Sequence, residues 1–130
     1  MRPMDQMSLT QDFAEASFII TGIQPGCVMI NNEAYSQSLV VSSDKLMIPW
    51  EVTHVDQLNE NNLAAIFKAQ PEIVLLGTGD QLIFPEPKIL ALFAQQKIGF
   101  ETMNTSAVCR TYGILIAEGR KASAALIFSD

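Results

Sequence analysis

Gly77-Thr78-Gly79-Asp80-Gln81 follows a short apolar run at residues 72–76, the order in which a dinucleotide-binding turn follows its strand. Glu101 lies about twenty residues further on, where a ribose-binding acid would be expected. The details oppose that chemistry. The third glycine is missing, and Asp80 puts negative charge where a pyrophosphate must lie. Leu82-Ile83-Phe84-Pro85 then separates the glycines from the helix whose N-terminus should hold the phosphate. A phosphate-cradling P-loop is excluded because no Lys-Ser/Thr follows. The alternative is a tight structural turn whose glycines take positive φ.

Other reactive side chains are sparse. His54 is the only histidine, so a zinc-type site would need carboxylates or a thiol brought to it by folding; an exposed loop histidine is the simpler reading. Cys109 falls early in a predicted helix, where the helix dipole lowers a thiol pKa, yet no Cys/His pair supports a nucleophile. Cys27 and Cys109 belong to no CxxC motif and read as reduced core thiols. No GxSxG elbow exposes Ser36, Ser38, Ser42 or Ser43. Arg110, in an otherwise uncharged stretch, either bridges to Asp80 or Glu101 or holds an anion beside Gly79. Catalytic and metal-ligating residues are therefore expected to be none. The candidate pocket consists of Gly77, Thr78, Gly79, Asp80, Gln81, Asn104, Thr105, Arg110 and Tyr112, which converge if the loop after the central strand faces the start of the last helix.

The elements that must position these residues center on 71–103. Ile73, Val74, Leu75 and Leu76 have the composition of a strand buried on both faces. Pro85 and Pro87 suit a helix's first turn, Ile89, Leu90, Leu92 and Phe93 give it an apolar stripe, and residues 98–103 return as a strand. This βαβ unit sets a polar loop at a strand's carboxyl end, where open α/β sheets place ligands. Upstream, residues 18–23, 28–30 and 35–41 read as an antiparallel meander, turned by Pro25-Gly26 and Asn31-Asn32. Residues 46–50 form a Pro-limited edge segment. A helix starts at Asn59 or Asn61 and stops at Pro71. After Asn104-Thr105-Ser106, Val108, Tyr112, Leu115 and Ile116 mark a helix ending at Gly119, and residues 122–128 supply a last strand. The expected fold is α/β: a three-layer single domain over residues 15–130 behind an arm at 1–14, with a central mixed sheet, the N-terminal meander and about three helices.

With 130 residues, 48% hydrophobic and 17% charged, the chain has enough apolar content for a real core. A net charge of −6 with only eight Lys and Arg argues against nucleic acid and anionic membrane surfaces. No apolar run approaches the roughly 20 residues that span a bilayer, and the N-terminus fits neither a secretory nor a transit signal. A cytoplasmic location is expected.

Taken together, GTGDQLIFPEP, the strand Gly99-Phe100-Glu101-Thr102-Met103, Asn104-Thr105-x-Ala107, Arg110-Thr111-Tyr112, Glu118-Gly119-Arg120 and Ala124-Ala125-Leu126 resemble one family. It is the small α/β domain family of mitochondrial complex I assembly factor 3 and its uncharacterised bacterial and archaeal relatives. The resemblance spans roughly residues 15 to 128. It implies a compact three-layer domain without established enzymatic activity or cofactor, and, in the mitochondrial branch, a role in assembling the respiratory NADH dehydrogenase. This chain lacks the mitochondrial presequence and so looks bacterial, and it carries Gly113 where many relatives have Asn.

The resulting expectation is a non-catalytic interaction or assembly-factor-like domain, the alternative being a small-ligand binder or enzyme using the pocket at residues 77–81. The partner is expected to be a protein or a second copy. Its candidate surface is Tyr35, Leu39, Met47, Ile48 and Trp50, near the Pro-limited edge, with Trp50 either the anchor or simply core.

Overall fold

A computed structural model describes residues 18–129; the expected arm at 1–14 lies outside them. Among the described residues, five strands come first: β1 (Ile20–Gln24), β2 (Cys27–Ile30), β3 (Glu33–Tyr35), β4 (Leu39–Ser42) and β5 (Lys45–Met47). A 3-10 turn (Val55–Gln57) and α1 (Glu60–Ala69) precede β6 (Ile73–Gly77) and α2 (Pro87–Gln96). The chain closes with β7 (Gly99–Met103), α3 (Thr105–Ala117) and β8 (Ala122–Leu126).

Local chemistry sets most of these boundaries. Asn31 and Asn32, at φ 51° and 69°, form the two-residue β2–β3 turn, a conformation asparagine adopts at small cost. Asn59 caps α1 by accepting from the Asn62 N–H at 2.9 Å, while Asn62 Oδ1 accepts from the Asn59 N–H at 2.9 Å. Gln70, in the left-handed region at φ 52°, ends α1 before Pro71. Of the two prolines expected in the first turn of α2, only Pro87 belongs to it.

Strands β1–β2–β3 make one antiparallel sheet, and the second sheet has the order β5–β4–β8–β6–β7. Within the second, β6 runs parallel to both β7 and β8, whereas β4 pairs antiparallel with β8 and β5. The architecture is α/β with a central mixed sheet and, among the described residues, three α-helices. Alternation along β6 feeds two cores: Val74 and Leu76 pack with α1 and α2 through Leu63, Ile66, Ile89 and Phe93, while Leu75 faces Val108 and Tyr112 of α3 and Val28 and Ile30 of β2. Phe93 stacks on Phe100 at 4.0 Å and meets Phe67 edge-on at 4.9 Å.

Two expectations change. Residues 35–41 are not one strand of the meander: β3 ends at Tyr35, and Leu39, Val40 and Val41 are all buried, which requires cover on both faces and places β4 inside the second sheet. The break is fixed by Ser38, whose hydroxyl accepts from the Phe128 N–H at 2.8 Å. The last strand ends at Leu126, yet its tail stays attached, because the Ile127 N–H donates to the Gly77 carbonyl at 2.9 Å. Arg120, just beyond α3, pairs with Glu72 at 2.7 Å and holds that carboxyl below its usual range. Both side chains are about half exposed, so this pair adds little stability.

Gly77 and Gly79 carry different constraints. A Cβ on Gly77 would sit 2.9 Å from Leu126 Cδ2 and 3.3 Å from the Thr105 Cα, whereas one on Gly79 meets open space but keeps φ at +93°. In urea denaturation, Gly77→Ala is expected to lose roughly 1–3 kcal/mol from overpacking. Gly79→Ala should lose about 1 kcal/mol from backbone strain alone. A Gly77→Ala protein as stable as the parent would refute the close packing of this turn on α3.

Candidate functional site

The turn after β6 is built by hydroxyl groups rather than by regular backbone pairing. Thr78 Oγ1 donates to the Gln81 carbonyl at 2.6 Å and accepts from the Ile83 N–H at 3.2 Å, folding residues 78–83 back on themselves. Two bonds then tie this turn to α3: the Gly79 N–H donates to Thr105 Oγ1 at 2.9 Å, and the Thr105 N–H donates to the Gly79 carbonyl at 2.9 Å. Asn104 caps α3 by accepting from the Ala107 N–H at 2.9 Å.

Where β6, β7 and β8 end together, a cleft of about 540 Å³ opens. Gly79 and Asp80 form one wall with Asn104, Thr105 and Ser106. The β1–β2 turn at residues 23–26 and Ser36 face them, and Ile127, Phe128 and Ser129 from the tail of β8 complete the lining. The helices after β6 and β7 cover opposite faces of the sheet, so this is a crevice at a topological switch point.

The structure thus brings Gly79, Asp80, Asn104 and Thr105 of the expected pocket together, and separates the other five. Gly77 is buried beneath Thr105 and Leu126. Thr78 spends its hydroxyl inside the turn, and Gln81 contributes its carbonyl there. Arg110 is exposed one helical turn beyond the cleft and donates through Nη1 to Ser106 Oγ at 3.0 Å; it makes no ion pair with Asp80 or Glu101. Tyr112 points into the core, donating its hydroxyl to the Phe18 carbonyl at 3.1 Å, and burial pushes its pKa far above the ordinary phenol value. Sequence reasoning missed the wall from the β1–β2 turn and the tail of β8, because both arrive through long-range strand pairing that no local motif announces.

The other candidates also find their places. Cys27 and Cys109 are free thiols. Burial pushes Cys109 up to about 11 despite the nearby Arg110 charge, so it is a protonated, packed thiol rather than a dipole-activated nucleophile. His54 is exposed at the head of the 3-10 turn. Among the described residues no cluster of His, Cys, Asp and Glu has the geometry for a metal ion.

The expected interface at Tyr35, Leu39, Met47, Ile48 and Trp50 needs correction. Leu39 and Trp50 are only 0% and 3% exposed, and the Trp50 indole donates to the Asn62 carbonyl at 3.0 Å, so neither reaches a partner. Tyr35, Met47 and Ile48 are half-buried against the two cores. Among the described residues the one run of consecutive exposed large apolar side chains is Leu82, Ile83 and Phe84, which are 49%, 50% and 71% exposed, while Ile19, Ile23, Leu90 and Ile114 are exposed singly. The sequence signal was present, since three consecutive large apolar residues between Gln81 and Pro85 fit no helical or strand period.

The fold and the crevice define a three-layer α/β domain with a ligand-sized cleft over the carboxyl ends of its parallel strands. The chain belongs to the family described as protein of unknown function (DUF498/DUF598), whose model matches residues 20–127. It is 30% identical over 121 residues to NADH dehydrogenase [ubiquinone] 1 alpha subcomplex assembly factor 3 of Xenopus tropicalis, covering 92% of this chain and 65% of that protein. It is 24% identical over 122 residues to the 13 kDa major membrane protein of Francisella tularensis, covering 93% and 99%. A Xanthomonas campestris protein solved by NMR superposes with a TM-score of 0.82 at 30% identity, covering 93% of this chain and 92% of its own. No helix among the described residues is long and apolar enough to cross a membrane.

The Cys109 shift predicts a pH effect on stability. The unfolded thiol loses its proton near pH 9 and the folded one near pH 11, so the folded state binds more protons between those values. Stability should therefore be complete below about pH 9 and fall as pH rises toward 11, and Cys109→Ala should flatten that fall in a denaturation series. An identical slope in parent and variant would remove the assignment.

Proposed function

We propose that this chain is a non-catalytic interaction domain of the assembly-factor type, which holds a protein partner during construction of a respiratory NADH dehydrogenase in the cytoplasm. The observation that carries this reading is the run Leu82-Ile83-Phe84, three large apolar side chains held in water on a turn fastened by Thr78 and Thr105. An exposed contiguous apolar run on a rigid support is expensive unless something covers it, and large aromatics such as Phe84 supply much of the energy of protein interfaces. The assembly-factor names of several relatives support the choice of partner. Cys27 and Cys109 as free thiols support a reducing compartment.

Affinity capture from the source organism, comparing the parent with an Ile83→Ser, Phe84→Ser double variant, tests the reading. The parent should retain a NADH dehydrogenase subunit, and the variant should lose it by about tenfold or more. The variant's own stability should stay within about 0.5 kcal/mol, because these side chains support nothing beneath them. Equal capture by both proteins would overturn the assignment of the loop, and a parent dimer dispersed by the variant would make a second copy its cover.

A further inference from the structure

The cleft at the carboxyl ends of β6, β7 and β8 is separate from the apolar loop, and its polar groups are unevenly spent. Three of the N–H groups at this helix start are already engaged. The Gly79 N–H is bound to Thr105 Oγ1, the Thr105 N–H to the Gly79 carbonyl, and the Ala107 N–H to Asn104 Oδ1. An anion arriving at this helix start would find these three N–H groups spent on the bonds that hold the turn in place. Among the described residues no Lys or Arg lines the cleft, and Arg110 stands outside the lining with its Nη1 on Ser106 Oγ.

Acceptors, by contrast, are left over. Asp80 is exposed, lines the cleft, and makes no hydrogen bond or ion pair with any described residue. Gln24 and Ser36, on the facing walls, likewise have side chains unpartnered among the described residues. Beside them lie the apolar surfaces of Ile23 and Phe128. One free carboxylate with neutral groups opposite that can accept and an apolar wall is complementary to a single positive charge on a short hydrocarbon stem.

We propose that this cleft binds an organic cation, an ammonium or guanidinium group on a short apolar stem, with Asp80 as its counter-charge. The same chemistry is presented by a free alkylamine or alkylguanidine and by the side chain of a partner's lysine or arginine. The inference does not depend on what covers the loop at residues 82–84.

The test is amide chemical-shift mapping on the full chain, titrated with n-butylguanidinium, with n-hexylammonium, and with a blocked tripeptide carrying one arginine. Sodium butyrate and inorganic phosphate serve as anionic controls. The cations should shift Gly26, Gly79, Asp80 and Thr105 at millimolar concentration while the anions leave them unmoved. Asp80→Asn, which removes a charge but no internal contact, should weaken cation binding about tenfold. Arg110→Ala should leave it unchanged or tighten it by lowering the local positive potential. Binding of the peptide alone assigns the cation to a protein side chain, and binding of the free cations as well assigns it to a small molecule. The proposal is overturned if no cation moves these amides, if Asp80→Asn binds as the parent does, or if the anions bind and Arg110→Ala abolishes their binding.

Discussion

Two hydrogen bonds exchanged between Gly79 and Thr105 hold the functional end of this domain together. They fasten the turn leaving the central strand to the first residue of the last helix, across a gap that no strand pairing reaches. The attachment depends on glycine at two positions for different reasons. Gly77 lets Thr105 and Leu126 close over the strand end, and Gly79 turns the chain at positive φ so that its N–H and carbonyl both face Thr105. Thr78 then directs residues 82–84 outward. The cleft and the apolar loop are thus two products of one fixed turn, one on each side of it.

The same fastening decides what the site can do. Glycines after a buried strand often offer N–H groups to phosphate, but here the Gly79 N–H is spent on the Thr105 hydroxyl and the Thr105 N–H on the Gly79 carbonyl. What remains toward the cleft carries the negative charge of Asp80. The buried Cys109 and Tyr112 lie on the core side of α3, with burial raising the pKa of each, and both keep their protons at neutral pH. These features suit recognition better than acid–base or nucleophilic work.

Much of the frame was readable because it rests on local signals. The uninterrupted apolar run of β6, the asparagine caps of α1 and α3 and the two-asparagine turn each carry their own physical cause in adjacent residues. The convergence of Gly79, Asp80, Asn104 and Thr105 also followed from strand order, since loops after neighbouring parallel strands must meet. Arg110 and Tyr112 were harder to place, because a helix starting at the cleft carries residues five or more positions along away from it. Helical phase then decides whether they reach solvent or core. Leu39 read as surface although the pairing of β4 with β8 encloses it, and Trp50 read equally well as anchor or core although its indole reaches the Asn62 carbonyl of α1. The back wall of the cleft, from the β1–β2 turn and the β8 tail, depends on contacts between distant parts of the chain.

The proposed partner-holding role rests on family membership, the fastened turn and the exposed loop. Several relatives carry the name of a respiratory complex assembly factor, and this chain preserves the fold of a solved Xanthomonas campestris relative along nearly its whole length. The most direct measurement is the amount of fully assembled NADH dehydrogenase on native gels of membranes from the source organism with this gene deleted. The account predicts a marked loss of the assembled enzyme with accumulation of a subcomplex, restored by the parent chain. Normal assembly in the deletion strain would contradict it.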